Sequence, residues 1–169
     1  MKRTHVFILL IGVCFLLLVG CIFANSLQTS EQSNARSQLI IDVVQPVVES
    51  LFAKLHIDVT IKWNFLIRKL AHGVEYTALG LCIGGGMLYG YIRSKRIYFG
   101  GAAFVALLIG VIDEYIQSFT GRTSQVRDVL IDLLGAMLGI LLSVAVYALV
   151  RWRKRNRKSA DADSENGNS

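Results

Sequence analysis

The sequence predicts an all-α, polytopic membrane protein: a bundle of four transmembrane helices with one amphipathic helix on the membrane surface. Of the 169 residues, 53% are hydrophobic, and they fall into runs of about 20 residues, which is enough to cross ~30 Å of hydrocarbon at ~1.5 Å per residue. The runs are expected to be helical, because isolated strands would leave backbone groups unpaired in lipid. Basic residues cluster beside the runs, as is typical of membrane topology.

The predicted membrane domain covers residues 1–158, and its four spans are residues 6–24, 70–92, 97–119 and 129–150. The first span has no charged residue, whereas the other three carry ionisable side chains. A basic start followed by an apolar run also fits a signal peptide cleaved before Cys21. The run continues to Ala24, which favours a retained helix.

The distribution of basic residues predicts the orientation of the helices. Basic residues precede the first span, fill the turn between the second and third spans, and follow the fourth. Because positive charge accumulates on the cytoplasmic side, both termini are expected in the cytoplasm, with the loops at 25–69 and 120–128 outside. Arg68 and Lys69 adjoin the outer end of the second span against this rule, and we expect them to pair with acidic side chains.

Three segments outside the spans have distinct compositions. Residues 38–56 carry apolar residues at helical spacing, which predicts an amphipathic helix on the outer membrane surface. Two roles remain open for this helix: it covers the bundle, or it acts as a lid or guide for a substrate. The Ser-, Gln- and Asn-rich residues 26–37 indicate a loop or linker, and the polar residues 159–169 predict a disordered cytoplasmic tail.

The predicted topology brings polar residues of the last three spans into one layer near the outer surface. Ionisable groups in such a layer are candidates for general acid–base catalysis, and these candidates are His72, Glu75, Asp113, Glu114 and Asp132. Candidates for binding a substrate or its anionic group are Lys69, Tyr76, Gln117, Arg122 and Asp128. The alternative is that the layer only holds the helices together, since intramembrane polar groups often serve packing.

Helical spacing also predicts a close helix contact and leaves a metal site open. Gly135 and Gly139 continue the stripe of Asp128 and Asp132 along one face of the fourth span, and small residues at this spacing allow helices to approach closely. A divalent ion could be held by oxygen-rich side chains, although their spacing alone is a weak signal; the set considered is His72, Glu75, Asp113 and Asp128.

The chain lacks a Gly-rich phosphate loop, zinc-ligand spacing and an aromatic RNA platform. Membrane topology accounts for the net charge of +6, so no nucleic-acid partner is expected. Membrane lipids are the expected partners, and a protein partner is unknown.

Several motifs resemble the VanZ-like family of bacterial membrane proteins. The resemblance extends over roughly residues 10–147 and is firm in 66–139, and the segments that carry it are residues 68–76, 113–119, 121–122 and 128–135. Gly73 departs from the bulky residue that often follows the histidine. The resemblance implies a bacterial cell membrane protein, and it links the chain to low-level resistance to the glycopeptide teicoplanin.

Three functions remain open at this point. The first is an enzyme acting on a lipid-linked envelope component at the outer leaflet, and the second is a protein that binds a cell-wall precursor or lipoglycopeptide without turnover. The third is a non-catalytic accessory subunit of another envelope membrane protein. The residues leave open whether the chain is an enzyme.

Overall fold

The computed structural model describes residues 2–56, 59–122 and 125–166, with side chains for residues 5–56, 59–122 and 125–157. The all-α prediction is confirmed for these residues, which form no strands. Five helices follow one another along the described chain: α1 (Lys2–Ser26), α2 (Ser30–Lys54), α3 (Trp63–Ser94), α4 (Phe99–Ser118) and α5 (Val126–Asn166).

Three of the described segments are long and apolar enough to cross a membrane: His5–Ser26, Phe99–Ser118 and Val126–Arg157. They correspond to the predicted first, third and fourth spans. Helix α3, which contains the predicted second span, has 32 residues and is long enough as well. Its glycines, tyrosines and ionisable side chains make it less apolar than the other three, so a fourth span does not follow from hydropathy.

Glycines set the close packing of α3 against α5. A Cβ atom at Gly80 would overlap the backbone carbonyl of Ala136, and one at Gly139 would overlap the carbonyl of Thr77. A Cβ at Gly135 would lie 2.9 Å from the carbonyl oxygen of Gly73. The predicted role of Gly135 and Gly139 in a close helix contact is therefore confirmed, because only glycine leaves room for the facing backbone.

Helix α2 begins earlier than the sequence predicted. It starts at Ser30 rather than at residue 38, so the prediction of a loop over 26–37 is wrong for most of that segment. The physical reason is a capping box: the Thr29 side chain accepts from the Gln32 backbone N–H, and the Gln32 side chain accepts from the Thr29 N–H. The helix continues through Pro46 to Lys54.

The C-terminal segment differs from its predicted disorder. Helix α5 continues to Asn166, so the backbone of 159–166 is helical, while residues 167–169 lie outside the described chain. Extending an existing helix adds a hydrogen bond per residue without a new nucleation step, which explains how a segment of polar composition continues the helix.

Candidate functional site

One end of the bundle carries a layer of buried polar side chains, here called the polar layer. The C-terminal ends of α1 and α4 meet there with the N-terminal parts of α3 and α5. The Ser26 hydroxyl of α1 donates a hydrogen bond to Asp113 of α4, and Gln117 Nε2 donates to Asp113 Oδ2 at 3.1 Å. Asn25 Nδ2 donates to Glu75 Oε1 of α3 at 2.6 Å. These contacts join three helices through polar groups that are distant in sequence.

The centre of the polar layer is a set of three side chains from three helices, here called the ligand trio: His72 of α3, Asp113 of α4 and Asp132 of α5. His72 Nδ1 lies 3.5 Å from Asp132 Oδ1 and 3.7 Å from Asp113 Oδ2. The two aspartates are 0% and 1% exposed. The second oxygen of Asp132 has no hydrogen-bond partner among the described residues. The sequence predicted all three as candidates.

Other predicted site residues have different surroundings. Lys69 Nζ forms an ion pair with Asp128 Oδ1 at 2.5 Å and lies 5.5 Å from the centre of the Phe65 ring. The predicted pairing of Lys69 with an acidic side chain is confirmed. The buried Glu114 accepts a hydrogen bond from the Gln125 backbone N–H at 3.2 Å, so it connects α4 to the segment that precedes α5.

Tyr76 and Gln117 support the polar layer from inside the bundle. Tyr76 is 0% exposed and belongs to the apolar core with Leu79 and Ala106. Gln117 is also buried, and its amide nitrogen lies 3.4 Å from the Ser26 hydroxyl. Gln117 therefore holds Asp113 and Ser26 in position, whereas Tyr76 contributes to the apolar core.

A cavity of about 210 Å³ lies beside the polar layer, between α1, α2 and α3. Its lining includes three arginines, Arg36, Arg68 and Arg122, and we call it the basic cavity. His72 and Glu75 also line it. The basic cavity thus places fixed positive charge beside one member of the ligand trio and beside a second ionisable side chain.

Arg122 is the most buried of the three arginines, with 8% exposure. Burial lowers the pKa of its guanidinium, and the neighbouring charge of Arg68 lowers this pKa further. The carboxylates of Asp113, Glu114 and Asp128 act in the opposite direction, because they favour the charged form. The Arg122 Nε atom is buried and has no hydrogen-bond partner within the described chain.

The sequence did not single out Arg36 or Asn25–Ser26 as site residues. Arg36 lies in the segment predicted to be a loop, and its Nη1 donates to Asn25 Oδ1 at 3.3 Å. Two features of the sequence could have indicated these residues. The family resemblance extends to the end of the first span, and residues 29–32 have the pattern of a capping box.

Taken together, apolar helices around a buried polar layer define a helical membrane protein. Residues 9–149 match the VanZ/LLP1 family, and the chain belongs to this VanZ-like family. No curated protein and no solved structure matches the chain.

Proposed function

We propose that this chain is a multi-pass protein of the bacterial cell membrane that binds or acts on the anionic headgroup of a lipid-linked envelope component. The observation that carries the proposal is the basic cavity, in which three arginines face a common space beside buried carboxylates. Arginine forms strong, directional hydrogen bonds to phosphate and carboxylate groups. A phosphate on a lipid is therefore the ligand chemistry that fits best.

The proposed topology has four spans, with both termini in the cytoplasm and the polar layer at the outer leaflet. Helix α3 is proposed as the remaining span, the second in chain order, because it packs along α5. The close contacts run from Gly80 with Ala136 to Gly84 with Ser143. A helix in such close contact with a spanning helix lies at the same depth. Polar side chains of α3 are turned inward, as the buried Tyr76 shows. Helix α3 can therefore span the membrane although its apolar content is low.

The basic cavity lies where a lipid headgroup is found in this topology. Helix α2 forms one wall through Ser33, Arg36 and Ser37. On another face of α2, Leu39 and Val43 are 73% and 71% exposed, which is typical of a helix lying in the membrane interface. A headgroup at the interface can then reach the cavity while its acyl or prenyl tail stays in lipid.

Arg122 and Arg68 also favour a bound anion on electrostatic grounds. The positive charge of Arg68 disfavours the charged form of Arg122, and Arg122 is largely desolvated. An anion between them relieves this repulsion and supplies acceptors for the guanidinium groups that line the basic cavity. A lipoglycopeptide such as teicoplanin, suggested by family membership, is the second ligand class, and low-level resistance is its expected consequence in cells.

The test is a direct binding measurement on the full chain in nanodiscs of neutral phosphatidylcholine. A polyprenyl phosphate is expected to bind at least about tenfold more tightly than the polyprenol with the same tail, since a charge-assisted hydrogen bond contributes about 1.5–3 kcal/mol. Arg122→Gln should remove most of this preference. The matched control Arg96→Gln, in the exposed turn at the opposite end of the bundle, should retain it.

Equal binding of the phosphate and the alcohol would contradict the proposal, and so would an equal loss in both arginine variants. Teicoplanin is added as a competitor, and displacement of the lipid would indicate a shared site. Recovery of the lipid unchanged after incubation would favour a binding protein, whereas release of inorganic phosphate would favour an enzyme.

A further inference from the structure

We infer that the ligand trio of His72, Asp113 and Asp132 binds a divalent transition-metal cation, with Mn²⁺ and Zn²⁺ as representative ions. The ligand atoms offered by these side chains all lie within 4.8 Å of one another. They come from three different helices, so a single ion would join α3, α4 and α5 at one point. This goes beyond the anion binding assigned to the basic cavity.

The distances within the trio suit metal ligands better than a directly hydrogen-bonded cluster. Metal bonds to imidazole nitrogen and carboxylate oxygen are ~2.0–2.2 Å long, which separates adjacent ligand atoms by about 3.0–3.5 Å. The observed separations from His72 Nδ1 are 3.5 Å and 3.7 Å. A charge-assisted hydrogen bond would be only ~2.7–2.9 Å long. Small side-chain shifts would therefore bring all three ligand atoms, which lie within 4.8 Å of one another, to bonding distance of one ion.

Burial supplies a second, independent argument for a cation. Asp113 and Asp132 are almost fully buried, and two desolvated carboxylates at one place need a positive charge nearby. Asp113 receives hydrogen bonds from Ser26 and Gln117. Asp132, in contrast, has an oxygen with no hydrogen-bond partner in the described chain. A metal ion satisfies this carboxylate and neutralises both charges.

The donor set also indicates the class of metal. One imidazole nitrogen with two carboxylate oxygens suits a first-row transition ion better than Ca²⁺ or Mg²⁺, which prefer oxygen ligands alone. The set considered from the sequence also held Glu75 and Asp128 and did not include Asp132. These two residues have other partners here: Glu75 accepts a hydrogen bond from Asn25, and Asp128 is paired with Lys69. Three protein ligands leave coordination positions open, and His72 lines the basic cavity, so an anionic group bound there can reach the ion.

The experiment measures the metal itself on the purified full chain in detergent, after removal of metals with a chelator. Titration with Mn²⁺ is followed by the loss of the electron paramagnetic resonance signal of the free ion. Wild type is expected to bind Mn²⁺ saturably, and Zn²⁺ should displace it, following the usual order of affinities. Asp132→Asn and His72→Gln should each weaken Mn²⁺ binding at least about tenfold. Asp42→Asn, which changes an exposed carboxylate of α2 that belongs neither to the trio nor to the lining of the basic cavity, should leave it unchanged.

Absence of saturable Mn²⁺ and Zn²⁺ binding by wild type would overturn the inference, whatever the variants do. Equal binding by Asp132→Asn and Asp42→Asn would overturn it as well, and would point to metal held at the surface. Absence of metal binding is measured on wild type alone. The test therefore stays decisive even if one of the variants fails to fold. The measurement contains no lipid, so it succeeds or fails separately from the proposed binding of an anionic headgroup.

Discussion

At the scale of single residues, the carboxylates of the polar layer differ in what holds them. Glu75 accepts a hydrogen bond from Asn25, and Asp128 is paired with Lys69. Asp132 is more buried than either and has an oxygen without a partner in the described part of the chain. These carboxylates therefore have different surroundings although they lie in one layer.

Ser26→Ala tests how strongly a single hydroxyl supports the buried Asp113 carboxylate. The substitution removes a donor to a fully buried, acidic group, so the free energy of unfolding should fall by about 1–3 kcal/mol. Denaturation of the detergent-solubilised protein, followed by circular dichroism, measures it. The control Ser50→Ala changes an exposed serine of α2 and should have little effect. A Ser26 variant as stable as this control would show that Asp113 does not depend on the hydroxyl.

At the scale of helices, the contact between α3 and α5 positions the trio. The overlap that a Cβ at Gly80 or Gly139 would create shows that the two backbones are in contact. This contact sets the depth of His72 on α3 relative to Asp132 on α5. A change that separates the helices should therefore disturb both stability and the site.

Gly80→Ala tests this contact against Gly90→Ala in the same helix. Alanine normally favours a helix over glycine by roughly 0.5–1 kcal/mol, and at Gly90 nothing lies within 4 Å of the added Cβ. Gly90→Ala should therefore be neutral or stabilising. At Gly80 the added atom meets the Ala136 carbonyl, and overpacking of this kind costs about 1–3 kcal/mol. Thermal unfolding distinguishes the two, and a stabilised Gly80→Ala would mean that the helices are further apart than described here.

At the scale of the whole molecule, the polar layer and the exposed basic residues next to the spans lie at different ends. The polar layer and the basic cavity lie at the end where α1 finishes and α5 begins. Exposed basic residues of the turn at 95–96 and of the segment 151–157 lie at the other end. This asymmetry is the physical basis of the proposed orientation.

Cysteine labelling tests the orientation in intact cells. With Cys14, Cys21 and Cys82 replaced by alanine, Glu31→Cys should react with a membrane-impermeant maleimide without permeabilisation. Lys95→Cys should react only after permeabilisation, because the positively charged turn is expected in the cytoplasm. Both substituted positions are exposed, so access depends on the membrane alone. The reverse pattern would place the polar layer in the cytoplasmic leaflet and would contradict the proposal of a substrate in the outer leaflet.

Much of the fold was predictable because it depends on local properties. Span length and apolar content are read directly from consecutive residues, and the predicted 97–119 span agrees closely with α4, Phe99–Ser118. The predicted start of α2 was wrong because the polar composition of residues 26–37 is typical of a loop, whereas the capping box at Thr29 begins a helix there. The tail was mispredicted because composition does not include propagation from a preceding helix.

The sequence by itself determined the helical class, the family resemblance and the presence of ionisable groups at one depth, since each depends on residue type and spacing along one chain. Only the tertiary structure decided which of these groups meet. Asp128 and Asp132 share a helix face, yet one pairs with Lys69 and the other faces His72. The physical reason is that contacts between helices depend on their rotation, separation and relative depth, which are set by close packing between residues far apart in sequence.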